Sequence, residues 1–278
     1  MASMRTISRI ALALLAVTPA AIEGQLAGFG GPLAQADMLY LAGEPLQAFE
    51  ILDQHLATDS TDYDALWRAA RAAVVLGIDA EGSRGQNAWL DPAMAFAERA
   101  VALRPDGIEG RYWRGVAVGR RAMNASPGYA VELAQVVYDD AHAILAADST
   151  HGGAHNMLGK LNYEIMSLSR IKRGVARTFM GNSALDDTSW ENARHHLERA
   201  TEVWPDFVLF HFDLGQLHRR QGRREEAARS FMTALALEPV HPTDRKVQAD
   251  ARAYLEEWGL LTTQDSLSVN PDGAPRGR

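Results

Sequence analysis

The chain has 278 residues, 47% of them hydrophobic, which is enough for a sizeable core, and no cysteine, which excludes disulfides, thiolate metal sites and a thiol nucleophile. A net charge of −7 argues against a general nucleic-acid binder, which would carry a basic excess. Alanine is abundant and β-branched runs are scarce, which favours close-packed helices over sheet.

Arg5 and Arg9 precede an apolar run from Ile10 to Val17, followed by Thr18-Pro19-Ala20-Ala21. A basic start, a short apolar stretch and small residues near a cut after Ala20 or Ala21 read as a secretory signal peptide over 1–21. The run is well short of the ~20 residues that span a bilayer, so no transmembrane segment is expected once it is removed. Residues 22–32 are glycine-rich and read as a flexible lead-in.

From Leu33 a helical pattern begins, pauses at Gly43 and resumes through Phe49, Leu52 and Leu56. Asp59-Ser60-Thr61-Asp62 supplies a turn and a helix cap. Leu66, Trp67, Ala70 and Val74 mark the next helix. Gly77 to Asn87 reads as a long loop, and Trp89, just before the next helix, as the tryptophan best placed for exposure or ligand contact. Ala93, Ala97 and Ala100 lead to Pro105. Tyr112, Trp113 and Gly115 open a third unit, whose second helix carries Leu133, Val137, Ala141 and Ile144 at threes and fours. Asp148-Ser149-Thr150 is expected to cap the fourth unit. There, Ala154 to about Met180 reads as one continuous, over-long helix, with a loop over Gly181 to Asp187. The fifth unit, Phe207–Pro239, is the most regular. Leu214-Gly215, Gly222, Ala227, Phe231, Ala234 and Pro239 have the spacing of a tetratricopeptide (TPR) repeat, a helix–turn–helix of about 34 residues. Thr243-Asp244 then cap a last helix through Ala251, Leu255 and Trp258, which covers the end of the stack. Residues 259–278 read as a disordered tail.

The predicted architecture is an all-α, TPR-like solenoid over 33–258, with about five helix pairs and a C-terminal capping helix. Catalytic signatures are absent: there is no GxSxG elbow, no P-loop and no Cys nucleophile, so neither an enzyme nor a cofactor is expected. On the long helix, Tyr163, Met166, Arg170, Arg173 and Arg177 fall in one sector at 100° per residue. Three guanidiniums there would bind carboxylate or phosphate, with Tyr163 and Met166 as an apolar flank. The alternative is a solvated, salt-bridged helix face. His195 and His196 near Glu191 and Glu198, His211 with His218, and His151 with His155 are helix-spaced. Each reads first as a surface or core histidine, and no metal is assigned.

Three stretches carry a family resemblance: HNMLGKLNYEIMSLSRIKRGVARTFMG from His155, SWENARHHLERATEVWPD from Ser189, and DALWRAAR at Asp64–Arg71. They resemble the regulator of microtubule dynamics family, over about Asp62 to Trp258. The family's "LG" pair before a cationic helix is matched by Leu158-Gly159, followed by Tyr163, Leu168-Ser169 and Lys172-Arg173. The resemblance implies a TPR-like domain that serves as a tethering and interaction scaffold, some of whose relatives associate with phospholipid. With the signal-like leader it implies a relative exported to the periplasm or beyond.

Together these features predict a binding scaffold that holds a protein or peptide partner, with acidic groups favoured, in its concave face. The alternative is a carrier of phospholipid or another anionic amphipathic ligand, its headgroup held by the basic face of the long helix.

Overall fold

The computed structural model describes residues 30–169, 174 and 188–261. The expected leader, most of the lead-in, the 181–187 loop and all but the first residues of the tail lie outside them. Eleven α-helices are described: α1 Pro32–Leu41, α2 Pro45–Thr58, α3 Tyr63–Asp79, α4 Gly82–Leu103, α5 Ile108–Ala122, α6 Pro127–Ala147, α7 Gly152–Ser167, α8 Trp190–Val203, α9 Val208–Arg220, α10 Arg224–Ala236 and α11 Asp244–Glu257. They form five antiparallel pairs and a final single helix, an all-α TPR-like solenoid.

Each unit pairs an odd helix with the next even one, and each odd helix also packs on the next odd helix. The odd helices α1, α3, α5, α7, α9 and α11 therefore make a continuous inner layer, and the even helices an outer layer. Small residues at the crossings set this spacing. A Cβ on Gly159 would lie 2.6 Å from Leu197 Cγ, and one on Gly215 2.5 Å from Phe231 Cε1. Only glycine lets α7 meet α8, and α9 meet α10, at this distance. Ala93, Ala97, Ala100, Ala141, Ala193, Ala200, Ala227 and Ala234 do the same at other crossings, and all are fully buried. The tight turns within the first and fifth units use Gly43 at φ +82° and Gly222 at φ +74°.

Two polar anchors fix α5. Asp140 of α6 is fully buried and accepts from Arg111 Nη1 at 2.8 Å and from Arg114 Nε and Nη2 at 2.7 and 2.6 Å. Tyr63 Oη of α3 accepts from the Gly110 amide at 2.9 Å, satisfying a donor in the first turn of α5 that has no partner within the helix.

Four expectations are corrected. The loop over Gly77 to Asn87 is mostly helix: α3 runs to Asp79 and α4 begins at Gly82, with Pro92 inside it. Trp89 is therefore a helical residue, packed edge-on against Phe49 with ring centroids 5.4 Å apart. The helix beginning near Ala154 is not continuous to Met180. It starts at Gly152 and ends at Ser167, where Leu168 turns extended with ψ 150°. The fourth unit is capped by His151, whose Nδ1 accepts from the Ala154 amide at 3.0 Å, while Asp148 closes only a local turn with Thr150. At α11, Asp244 Oδ2 accepts from Val240 and His241 amides, pinning the loop before the helix, while the Thr243 side chain makes no cap bond. The Asp62 cap stands as read, accepting from the Asp64 and Ala65 amides.

Candidate functional site

The inner layer presents a set of side chains in register. One position after the small residue at each crossing come Asp37 on α1, Arg71 on α3, Val116 on α5, Lys160 on α7 and Gln216 on α9. Four positions after it come Tyr40, Tyr163 and Arg219, while Val74 of α3 is buried with Ala93 and Ala117. Several of these meet across repeats. Asp37 binds Arg68 at 2.9 Å and also pairs with Arg71, joining α1 to α3. The Arg71 guanidinium lies 3.9 Å over the Tyr40 ring. Lys160 Nζ binds Asp213 Oδ1 at 3.0 Å, joining α7 to α9, and sits 5.0 Å over the Tyr163 ring. Burial lowers the Lys160 ammonium pKa, but Asp213 and Glu164 more than offset it, and the net direction is up. Lys160 stays charged.

The inner layer also closes on itself. Burial pushes the Tyr40 phenol up to about 12, against the Arg71 guanidinium and with the Asp244 carboxylate of α11. Burial raises the Tyr112 phenol too, with Tyr40 and Glu109 adding to the effect and Arg120 opposing it. Lys246 of α11 donates to the Ile78 carbonyl at 3.0 Å and to Asp79 Oδ1 at 3.3 Å. The last helix thus reaches the end of α3.

An arc of rings follows the N-terminal ends of the inner helices. Tyr112 lies 5.3 Å from His151, His151 4.8 Å from Trp204, Trp204 5.7 Å from Phe207, and Phe207 4.5 Å from His241. Gly152 and Gly153 make room for it, since a Cβ there would lie 2.7 Å from Trp204 and 2.5 Å from Tyr112. Burial lowers the pKa of both His151 and His241, so both rings are neutral at pH 7.

Of the residues singled out in the sequence, Tyr163 and Met166 lie in the last two turns of α7, and both are half-buried. Arg170, Arg173 and Arg177 lie outside the described residues. The histidine pairs separate into different roles. His155 Nε2 faces the Ser149 carbonyl at 3.1 Å, so that nitrogen carries a proton, and its Nδ1 meets His196 Nδ1 at 3.0 Å as acceptor. Burial, with His155, His195 and His142 adding to it, pulls the His196 pKa down to about 4. Glu198 is taken by Arg194 at 3.0 Å. His211 Nε2 donates to the Pro205 carbonyl at 2.7 Å, and His218 is buried in α9. Among the described residues no group of three or more metal-binding side chains converges. After α5, Asn124 Nδ2 donates to Gln86 Oε1 at 2.8 Å and to Asn87 Oδ1 at 3.2 Å, tying that end of α5 to the start of α4.

A closed inner layer of helix pairs with small-residue crossings defines a TPR-like α-solenoid. The same fold is seen in TTC0263, a thermophilic TPR protein of Thermus thermophilus, with a TM-score of 0.57 at 18% identity, over 81% of this chain and 97% of that one. Residues 32–259 match the family described as Regulator of microtubule dynamics protein 1-3, and the chain belongs to that family. It is similar to Regulator of microtubule dynamics protein 1 of Mus musculus, at 21% identity over 225 residues, covering 80% of this chain and 72% of the mouse protein. The Bos taurus protein of that name is 21% identical over 226 residues, covering 80% and 70%.

Proposed function

We propose that the protein is a non-catalytic scaffold that holds an extended segment of a protein partner along the inner face of its solenoid. The observation that carries this is the closed inner layer. Side chains from α1, α3, α5, α7, α9 and α11 surround one axis, and most of them are held in place by ion pairs or ring contacts. Pre-set side chains of this kind lower the ordering cost of binding a flexible segment. Export is part of the same reading, supported by the basic, apolar and small-residue order of the first 21 residues.

Site-specific photo-crosslinking tests the reading without disturbing the fold. A photoreactive residue at Gln216 or Arg120 on the inner face is expected to trap a partner polypeptide. The same group at Arg229 of α10 or Glu98 of α4, on the outer layer, is expected to trap none. Crosslinks from the outer positions alone would overturn it. Native mass spectrometry of the purified protein provides the competing outcome, since stoichiometric co-purifying phospholipid would assign the inner face to a lipid instead.

A further inference from the structure

The inner-face charges of α1, α3 and α7 are paired, while Arg219 of α9 lies over the Tyr254 ring with no ion pair among the described residues. Arg68 and Arg71 are neutralised by Asp37 and Asp64, and Lys160 by Asp213 and Glu164. Asp244 is satisfied by two backbone amides. Two opposite charges of α5 are left without an ion pair among the described residues, Glu109 in its first turn and Arg120 in its last. Both are exposed. They share one stripe with Tyr112 and Val116, because positions 109, 112, 116 and 120 fall within about 80° at 100° per residue. The buried residues Gly110, Gly115, Ala117 and Val118 of the same helix face the other way.

A second, independent feature lies between them. Tyr40 is 4% exposed and its hydroxyl makes no hydrogen bond among the described residues, although it lies in the fields of Arg71 and Asp244 at the axis. The Tyr112 hydroxyl likewise has no such partner, and each of Tyr40, Glu109 and Arg120 shifts its phenol. Two protonated phenols at the axis are donors and acceptors suited to peptide amides.

Resting on the scaffold reading above, we propose that the ligand is an extended peptide with a basic side chain at Glu109 and an acidic one at Arg120. Eleven residues of helix separate the two by about 16 Å. An extended strand rises about 3.3 Å per residue, so the two ligand charges are about five residues apart. Glu109 accepts from the ligand's ammonium or guanidinium beside the Tyr112 and Trp113 rings, which stand 5.1 Å apart. Arg120 donates to the ligand's carboxylate. Tyr40 and Tyr112 bond the backbone between them. This differs from a face built for anions alone, because the charge that α5 leaves unpaired is dipolar.

The test is a double-mutant cycle in fluorescence anisotropy, with labelled peptides of the pattern Lys-x4-Glu, Gln-x4-Glu and Lys-x4-Gln, where x is Ser or Ala. Glu109→Gln is expected to weaken the Lys-x4-Glu peptide about two- to fivefold, and to leave Gln-x4-Glu unchanged. Arg120→Gln is expected to do the same for the glutamate and to leave Lys-x4-Gln unchanged. Both side chains are exposed, and unchanged circular dichroism will show that the variants fold. Binding that ignores both substitutions, yet crosslinks to Gln216, would overturn the dipolar assignment and leave the scaffold reading standing. No binding of any of these peptides, with no inner-face crosslink to a partner, would overturn both.

Discussion

Acidification is expected to loosen the fourth unit before the rest of the solenoid, through the His155–His196 contact. The bond joins α7 to α8, and the groups around it are His142 of α6, His195 and Arg199 of α8, and Asp148 before α7. Most of these are cationic or become so in acid. A histidine with a pKa of about 4 in the fold and 6.5 unfolded stays neutral while the unfolded chain takes up a proton. The unfolded state then binds more protons between those values, so stability is complete above pH 6.5 and falls as pH drops towards 4. For His196 the loss at pH 4 is on the order of 2 to 3 kcal/mol, allowing for its partial exposure. The lowered pKa of His151, His155, His218 and His241 acts in the same direction. The assay is urea unfolding followed by circular dichroism from pH 7 to 4. His196→Asn is the control, because its Nδ2 can donate to His155 Nδ1 without titrating. Stability near wild type at pH 7 with a shallower acid slope is expected. A slope identical to wild type would refute the assignment of the acid loss to this pair.

The packing sets the other expected outcomes. Gly159→Ala is expected to cost about 1 to 3 kcal/mol in urea unfolding, because its Cβ would lie 2.6 Å from Leu197 Cγ and 3.0 Å from the Leu197 backbone nitrogen. Gly115→Ala is expected to cost less, about 1 kcal/mol, although its Cβ would come nearer still to a neighbour, because that neighbour is the flexible end of Met157; equal costs would show that distance alone decides. Asp140→Ala is expected to cost about 3 kcal/mol, since it strands two arginines at the α5–α6 crossing, and a change under about 1 kcal/mol by the same assay would contradict the burial argument. Tyr63→Phe is expected to cost about 1 to 2 kcal/mol through the orphaned Gly110 amide, with faster hydrogen exchange in the first turn of α5 as the specific sign.

The architecture was legible because a TPR crossing is a steric requirement that leaves a mark in sequence. Gly215, Ala227 and Phe231 sit where helices approach within a side chain's width, and few residue types fit there. The breaks were less legible. Gly77 to Asn87 looked like a loop because its glycines and polar residues lower helix propensity. Packing overrode that: Leu90 is buried and meets the space at Gly77, while Gln86 and Asn87 spend their polar groups on Asn124. The end of α7 failed in the opposite sense, because apolar spacing runs on past Ser167 to Leu168 while the helix stops at Ser167 and Leu168 is extended. Periodicity reports which residues share a face if the chain is helical; it does not report that the chain stays helical.

The inner face was hidden for a different reason. The three arginines after Ser169 are dense in sequence, whereas Tyr40, Arg71, Tyr112 and Asp244 are far apart along the chain and come together only in the fold. A usable signal did exist. Stepping one position from Ala36, Ala70, Gly115, Gly159 and Gly215 gives Asp37, Arg71, Val116, Lys160 and Gln216. In a regular repeat, the residue that must be small fixes the phase of every other, so the residue after it must face the axis. The side chains at those steps are the ones whose chemistry the fold leaves free to differ from unit to unit. A crossing that tolerates only glycine or alanine carries the architecture, and the position beside it carries the choice of partner.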